Sequence, residues 1–302
     1  MIGRVIEVAT DGAHLSVDRG FMTVSHQKET LGRVAIADIS ALIVRGYGAT
    51  ISLNLASRLS QSGIPTVLCD SNQSPSTLLW PIKGHFEQGR RMQAQAEASR
   101  PLRKRLWRDI VVAKISAQAY VLKAVQESPE RLKQYARSVK SGDPDNIEGQ
   151  AARYYWPRLF GETFRRNRSE GGQNAALNYG YTVLRAATAR SILAAGLHPS
   201  LSVHHKSRGD ALRLADDLME PFRPYIDLTV HRMLEPDTEE LTRDMKAKLA
   251  AVLTLDLEGP RGARPLQSCL DALVVSLAQI YTGEQKSLEI PAPPFGLDAS
   301  GS

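Results

Sequence analysis

The hydrophobic period changes once along this chain, near residue 82, and that change constrains the fold more than any other feature. Before it, short runs rich in β-branched residues, GRVIEVA, AHLSVDR, FMTVSH, GRVAIADI and ALIVRG, are separated by Asp-Gly, Arg-Gly and similar turn signals. One stretch of helical period, SLNLASRLSQSG, interrupts them; it sets Leu53, Leu55 and Leu59 on a stripe with Gly63 as a stop. IPTVLCD and STLLWPI then return to strand character. These runs are mostly hairpin-spaced and predict a small β-sheet domain with one helix over residues 1–82, bounded near Trp80-Pro81-Ile82. From about residue 86 the period is 3.6, through segments 86–98, 101–126, 129–138, 146–160, 173–195, 210–221, 225–234, 239–254 and 265–282. The expected fold class is α+β: the β-rich domain first, a larger all-helical domain over 86–285, and a flexible, proline-containing tail over 286–302.

A chain of 302 residues buries a core without covalent staples. Its two cysteines, Cys69 and Cys269, lie in apolar runs and read as small core residues, in keeping with a reducing cytoplasm. Arg4 and Glu7 break any apolar leader at the N-terminus, and no run approaches the ~18 apolar residues of a membrane span, so none is expected. The net charge of +6 is unevenly spread: residues 83–123 hold ten Lys and Arg against three acids, whereas 210–260 hold twelve acids against six bases. A basic surface beside an acidic pocket suits a metal-dependent enzyme acting on a polyanion, although any single charged run is more often a solvated helix face.

The segment GLHPSLSVHHKSRGDALRLADDLMEPFRP, 196–224, concentrates the chemistry. His204 and His205 sit in a polar loop; Asp210 is placed to cap the following helix, which carries Asp216, Asp217 and Glu220. Asp217 and Glu220 are three apart and share a helix face. Adjacent histidines in an extended loop point apart, so one of the two is the expected ligand. An imidazole with carboxylates suits Mg2+ or Mn2+ better than a structural zinc site. Glu148, in PDNIEGQAARYYWPRLFG, reads either as the far end of a capping box with Asp145 or as a further carboxylate. The helix it begins interleaves Arg153, Tyr154, Tyr155, Trp156 and Arg158, a mixture suited to phosphates and unstacked bases. RPLRKRLWR (100–108) and FRRNR (164–168) add arginines that suit a nucleic-acid backbone or, equally, a wet helix face.

Three blocks, IEGQAARYYWPRLFG at 147–161, NAALNYGYTVLRAATARSILAAGLHPSLSVHH at 174–205 and LADDLMEPFRPYID at 214–227, together resemble the CRISPR-associated integrase, also described as an endonuclease, of spacer acquisition, most like members that accompany type II systems. The resemblance spans nearly the whole chain. It implies that the family's glutamate, histidine and final acid fall on Glu148, His205 and Glu220, which would be both catalytic residues and metal ligands for Mg2+ or Mn2+. Asp217 stays open as an alternate or supporting ligand, and Ser202 departs from a glycine common in the family. The resemblance further implies insertion of short DNA fragments into a CRISPR array by transesterification, with double-stranded pre-spacer and repeat DNA as substrates. It implies a homodimer, with the N-terminal domain for dimerisation, joined by a small partner subunit. The residues alone leave two other classes open, a small-molecule metallohydrolase on the same side chains and a non-catalytic nucleic-acid scaffold.

Overall fold

The computed structural model describes residues 4–70, 75–79, 85–167, 171–206, 211–233, 241–259 and 262–292. Asp210, Arg168 and the Trp80-Pro81-Ile82 boundary lie outside the described residues.

The N-terminal region contains β1 (Arg4–Val8), β2 (His14–Asp18), β3 (Phe21–His26), β4 (Glu29–Ala35), β5 (Ile39–Val44), β6 (Thr50–Ile51), α1 (Leu53–Gln61), β7 (Thr66–Cys69) and β8 (Pro75–Leu79). Two four-stranded sheets result, ordered β1-β5-β7-β8 and β4-β3-β2-β6. The meander β2-β3-β4 turns through Arg19-Gly20 and Gln27-Lys28, and all four residues have positive φ. Such turns twist in the same sense as the strands they join. Hairpin spacing is misleading for the first sheet: β1 pairs parallel to β5, and β5 parallel to β7. The meander and α1 serve as the long connections that parallel strands need. Ser52 caps α1 by accepting the Leu55 amide, and Leu55 and Leu59 close a core with Leu15, Met22 and Leu42. Leu53, expected on that stripe, is 89% exposed.

The second region contains α2 (Gln88–Ala96), α3 (Arg100–Ala124), α4 (Glu130–Ser138), α5 (Ile147–Phe160), α6 (Gly172–Ala194), α7 (Arg213–Leu218), α8 (Arg223–Met233), α9 (Arg243–Ala251), the strands β9 (Asp256–Gly259) and β10 (Gly262–Pro265), and α10 (Leu266–Tyr281). Its centre is α6, whose buried residues occur all round the helix, the pattern of a helix enclosed by others. Close approach is built in at Gly180, where a Cβ would stand 2.5 Å from Ile226 Cγ2 of α8. At Ala186, α6 also meets Ala41 and Ile43 of β5, so the two regions share packing.

Two expectations change. The helical region is not all helical, because β9 and β10 pair as an antiparallel hairpin ahead of α10. The tail expected from residue 286 is docked as far as it is described: Leu288 and Ile290 pack on the core, Glu289 pairs with Arg264, and Ala292 bridges to Glu258. Among the described residues no helix is long and apolar enough to cross a membrane.

Candidate active site

Three elements deliver the side chains. At the start of α5, Asn146 adopts a left-handed conformation with φ 49° and caps the helix by accepting the Gly149 amide. Asp143 accepts the Ile147 and Glu148 amides at 2.8 and 3.0 Å. The start is therefore capped by Asn146 and Asp143, not by a capping box between Asp145 and Glu148, and the Glu148 side chain is released for other contacts. Asp145 instead accepts Lys140 Nζ at 2.8 Å.

The second element is the turn after α7. Glu220 opens a short 3-10 turn, Glu220–Phe222, with Pro221 next to it, and is 4% exposed. Facing it, in the middle of α3, Lys114 places Nζ 2.6 Å from Glu148 Oε1 and 2.6 Å from Glu220 Oε2. Arg223 Nε approaches Glu220 Oε1 at 3.2 Å. Two carboxylates from distant parts of the chain thus converge on one cation. Burial pushes the Glu220 carboxyl up, but Arg223 and Lys114 more than offset this and leave it below its ordinary value. Burial likewise works against the Lys114 charge, and Glu220 and Glu148 outweigh it, so that the ammonium is held above its usual range.

The third element is the loop 197–206. Asp217, fully buried on α7, accepts the amides of Val203 at 2.6 Å and His204 at 3.0 Å on Oδ2 and that of His205 at 3.3 Å on Oδ1. Its Oδ1 also lies 2.6 Å from His205 Nδ1. That bond raises the His205 pKa against the effect of burial. With Nδ1 engaged, Nε2 is the remaining ring nitrogen. Asp217 is therefore the anchor of the loop, the arrangement by which a carboxylate orients a ligating or proton-carrying histidine. The Ser202 hydroxyl donates to the His205 carbonyl and closes the loop, and the Gln95 side chain bonds His198 and Leu201 from α2. His204 stacks on Trp107, with centroids 4.2 Å apart and rings 4° from parallel; burial lowers its pKa. The same indole meets His205 edge-on at 5.7 Å.

The remaining acids have other partners. Asp216 takes a bidentate pair from Arg185, at 2.8 and 2.9 Å, which ties α7 to α6. The α5 aromatics divide: Tyr155 is buried and donates to Asp227 at 3.1 Å, Trp156 packs with Phe160 and Phe164, and Tyr154 lies between Arg158 at 3.6 Å and Arg131 at 5.3 Å. Only Tyr154 of the three keeps the arginine-flanked setting that the interleaved pattern suggests.

Lys114, Trp107, Arg223 and Asp227 were not singled out for chemistry from the sequence. Lys114 had a signal: it stands among Ile110, Val111, Ile115 and Gln118 on the buried face of α3, where an unmatched charge is costly.

The donor types suit a hard divalent ion, since Glu148 and Glu220 already aim carboxylates at one cationic point and His205 is oriented by Asp217. Among the described residues no three His, Cys, Asp or Glu side chains stand at metal-holding geometry. The convergence point is filled by the Lys114 ammonium.

The profile of the family described as CRISPR associated protein Cas1 matches residues 6–256. A CRISPR-associated endonuclease Cas1 from Neisseria meningitidis serogroup C (strain 8013) is 35% identical over 286 residues, covering 93% of each chain. Among solved structures, a casposase bound to integration product superposes with a TM-score of 0.81 at 20% identity, covering 99% of this chain and 96% of that one. A Cas6-RT-Cas1–Cas2 complex chain gives 0.73 at 18% identity, covering 96% of this chain and 36% of that one. At these identities the structural likeness establishes the fold.

Proposed function

Because the chain belongs to the CRISPR associated protein Cas1 family, we propose that it is a divalent-metal-dependent DNA endonuclease and integrase that inserts short DNA fragments into a CRISPR array by transesterification at the repeat. The observation that carries this reading is the convergence of Glu148 and Glu220 on a single cationic point, with His205 held by Asp217 on the adjoining loop. Glu148, His205 and Glu220 would hold Mg2+ or Mn2+ in place of the Lys114 contacts. When bound, such an ion neutralises charge on a phosphodiester and acidifies an attacking hydroxyl or water.

The chain's own groups do the rest. Arg223 holds Glu220 in its charged form, Asp217 fixes the His205 ring through Nδ1 and leaves Nε2 for a ligand or a proton, and Lys114 is a further positive charge beside the carboxylates, available to a phosphate once an ion takes its place between them. A 3′-hydroxyl in the attacking role gives strand joining; water gives cleavage. The names of the relatives support the DNA chemistry, since one is a CRISPR-associated endonuclease and another is bound to an integration product. The complex of a Cas1 chain with Cas2 supports a small partner subunit. We further infer a homodimer formed through the N-terminal β-rich domain.

The test incubates the protein and its partner subunit with a short duplex and a repeat-bearing plasmid, in Mg2+, in Mn2+ and in chelator. Joined products are expected only with metal, and are expected to vanish in folded Glu148→Gln, His205→Ala and Glu220→Gln proteins. A fully active Glu220→Gln protein overturns the site, and joining in chelator overturns metal dependence. Tightly retained zinc without any DNA product would point to a small-molecule hydrolase; DNA binding without metal-dependent product, to a scaffold.

A further inference from the structure

Asp217 holds one point of the His205 ring and leaves one freedom open. Its Oδ1 meets Nδ1 at 2.6 Å, and the ring can still turn about that contact, carrying Nε2 with it. The carboxylate supplies no second restraint, because its oxygens are otherwise taken up by the amides of Val203, His204 and His205. The direction of Nε2 therefore has to be set by something else.

What stands against the ring is a stack of two others. Trp107 and His204 lie 4.2 Å apart and 4° from parallel. His205 meets both nearly at right angles, at 5.7 Å and 82° to the indole and at 6.0 Å and 80° to the neighbouring imidazole. Perpendicular contact is a preferred arrangement of ring quadrupoles and is therefore directional. Both contacts oppose the rotation that the Nδ1 bond leaves free.

The stack has a rigid base, since Trp107 is 2% exposed and packs in the core with Leu106, Ile110 and Val111. Trp107 also precedes Lys114 by two turns on one face of α3, about 10 Å of rise. One helix thus carries both the ring that faces His205 and the ammonium on which Glu148 and Glu220 converge. The charge of Glu220 reaches the imidazole and favours its protonated form, so the carboxylate pair is a near neighbour of the ring.

We propose that Trp107 and His204 are positioning residues for His205, fixing the rotation of its ring about the Asp217 bond so that Nε2 has one direction relative to Glu148 and Glu220. His204 acts by its flat face and not by its nitrogens. The assignment rests on the reading of Glu148, His205 and Glu220 as a metal-holding set, and it gives the second histidine of the pair a use other than ligation.

The test measures Mn2+ binding by calorimetry on the whole protein without DNA, with urea unfolding of each variant alongside. His204 stands at the surface, so its replacement spares the core. His204→Ala and Trp107→Leu are each expected to weaken binding about tenfold, the effect of removing a group that orients a metal-ligating histidine. His204→Phe, which keeps a flat ring and has no nitrogen, should restore the wild-type affinity. In a His205→Ala protein, His204→Ala should cost nothing more. Wild-type affinity in His204→Ala overturns the proposal, and so does a tenfold loss that persists without His205. Failure of the phenylalanine to rescue makes His204 a ligand and overturns it as well. Should Trp107→Leu fail to fold, the His204 series decides alone. A loss that phenylalanine rescues, in a protein that joins no DNA, upholds the positioning role and sinks the joining reading. Joined products from a wild type whose Mn2+ affinity ignores His204 do the reverse, and a wild type that binds no Mn2+ overturns both.

Discussion

At the scale of single residues, Lys114 decides how the two glutamates coexist. Without its ammonium, Glu148 and Glu220 would face each other as like charges, one of them almost fully buried. Lys114→Met is therefore expected to lower stability by about 3 kcal/mol in urea unfolding, the usual cost of removing one partner from a buried ion pair. Adding Mn2+ should then raise the melting temperature more in the variant than in the wild type, because an ion no longer has to displace the lysine. Asp227 gives a pH dependence with a definite sign. Its pKa is raised from 3.8 to about 7 by burial, so its contribution to stability is full below about pH 4 and is lost as pH rises through 7. Asp227→Asn should remove that part of the decline in melting temperature between pH 4 and 7. His205, also raised, gives a decline of the same sign that the substitution leaves in place. His204, His205, Asp217 and Glu220 could be singled out in the sequence because acids and histidines gathered at close spacing are uncommon, whereas Glu148, far along the chain from them, was indicated by the family resemblance. Lys114 carries only a weak signal, a charge among the apolar positions of α3, and Trp107 carries none, since a single tryptophan in an arginine-rich helix acquires meaning only when the burial of its face is known.

At the scale of elements, the helices were legible from their 3.6 period, and their ends fall within a few residues of the expected ones. Pairing was less legible. The parallel alignment of β1, β5 and β7 depends on contacts across most of the N-terminal region, while spacing along the chain reports only neighbours. The β9-β10 hairpin escaped because TLDLEGPRGARP has too few apolar residues to show a period of two. Local chemistry at the start of α5 was half legible: an acid-rich cap was expected there, but the cap is Asn146 with Asp143, and this difference frees Glu148. Asn146→Ala should cost about 1 kcal/mol in thermal or urea unfolding. The left-handed φ of this residue, poorly tolerated by alanine, adds to that cost.

At the scale of the whole molecule, part of the acidic excess of the sequence is spent in the interior. Asp216, Asp217, Glu220 and Asp227 all turn inward onto Arg185, the 203–205 loop, Lys114 and two tyrosines. Arg100 and Arg105, by contrast, stay exposed on the first turns of α3, the helix whose middle carries Lys114. Replacing Arg100 and Arg105 by Gln should weaken duplex binding evenly across sequences and shrink the slope of log K against log salt by about 2, measured by titration at several ionic strengths.

The docked segment 288–292 has a consequence in time. Ile290, Pro291 and Ala292 line a cavity with Pro221 and Tyr225, on the rear of the turn that begins with Glu220. Translation runs from the N-terminus, so Glu220, His205 and Glu148 all leave the ribosome before the residues that back that turn. On a nascent chain the carboxylate pair therefore stands without its rear wall until residues 288–292 have followed and docked.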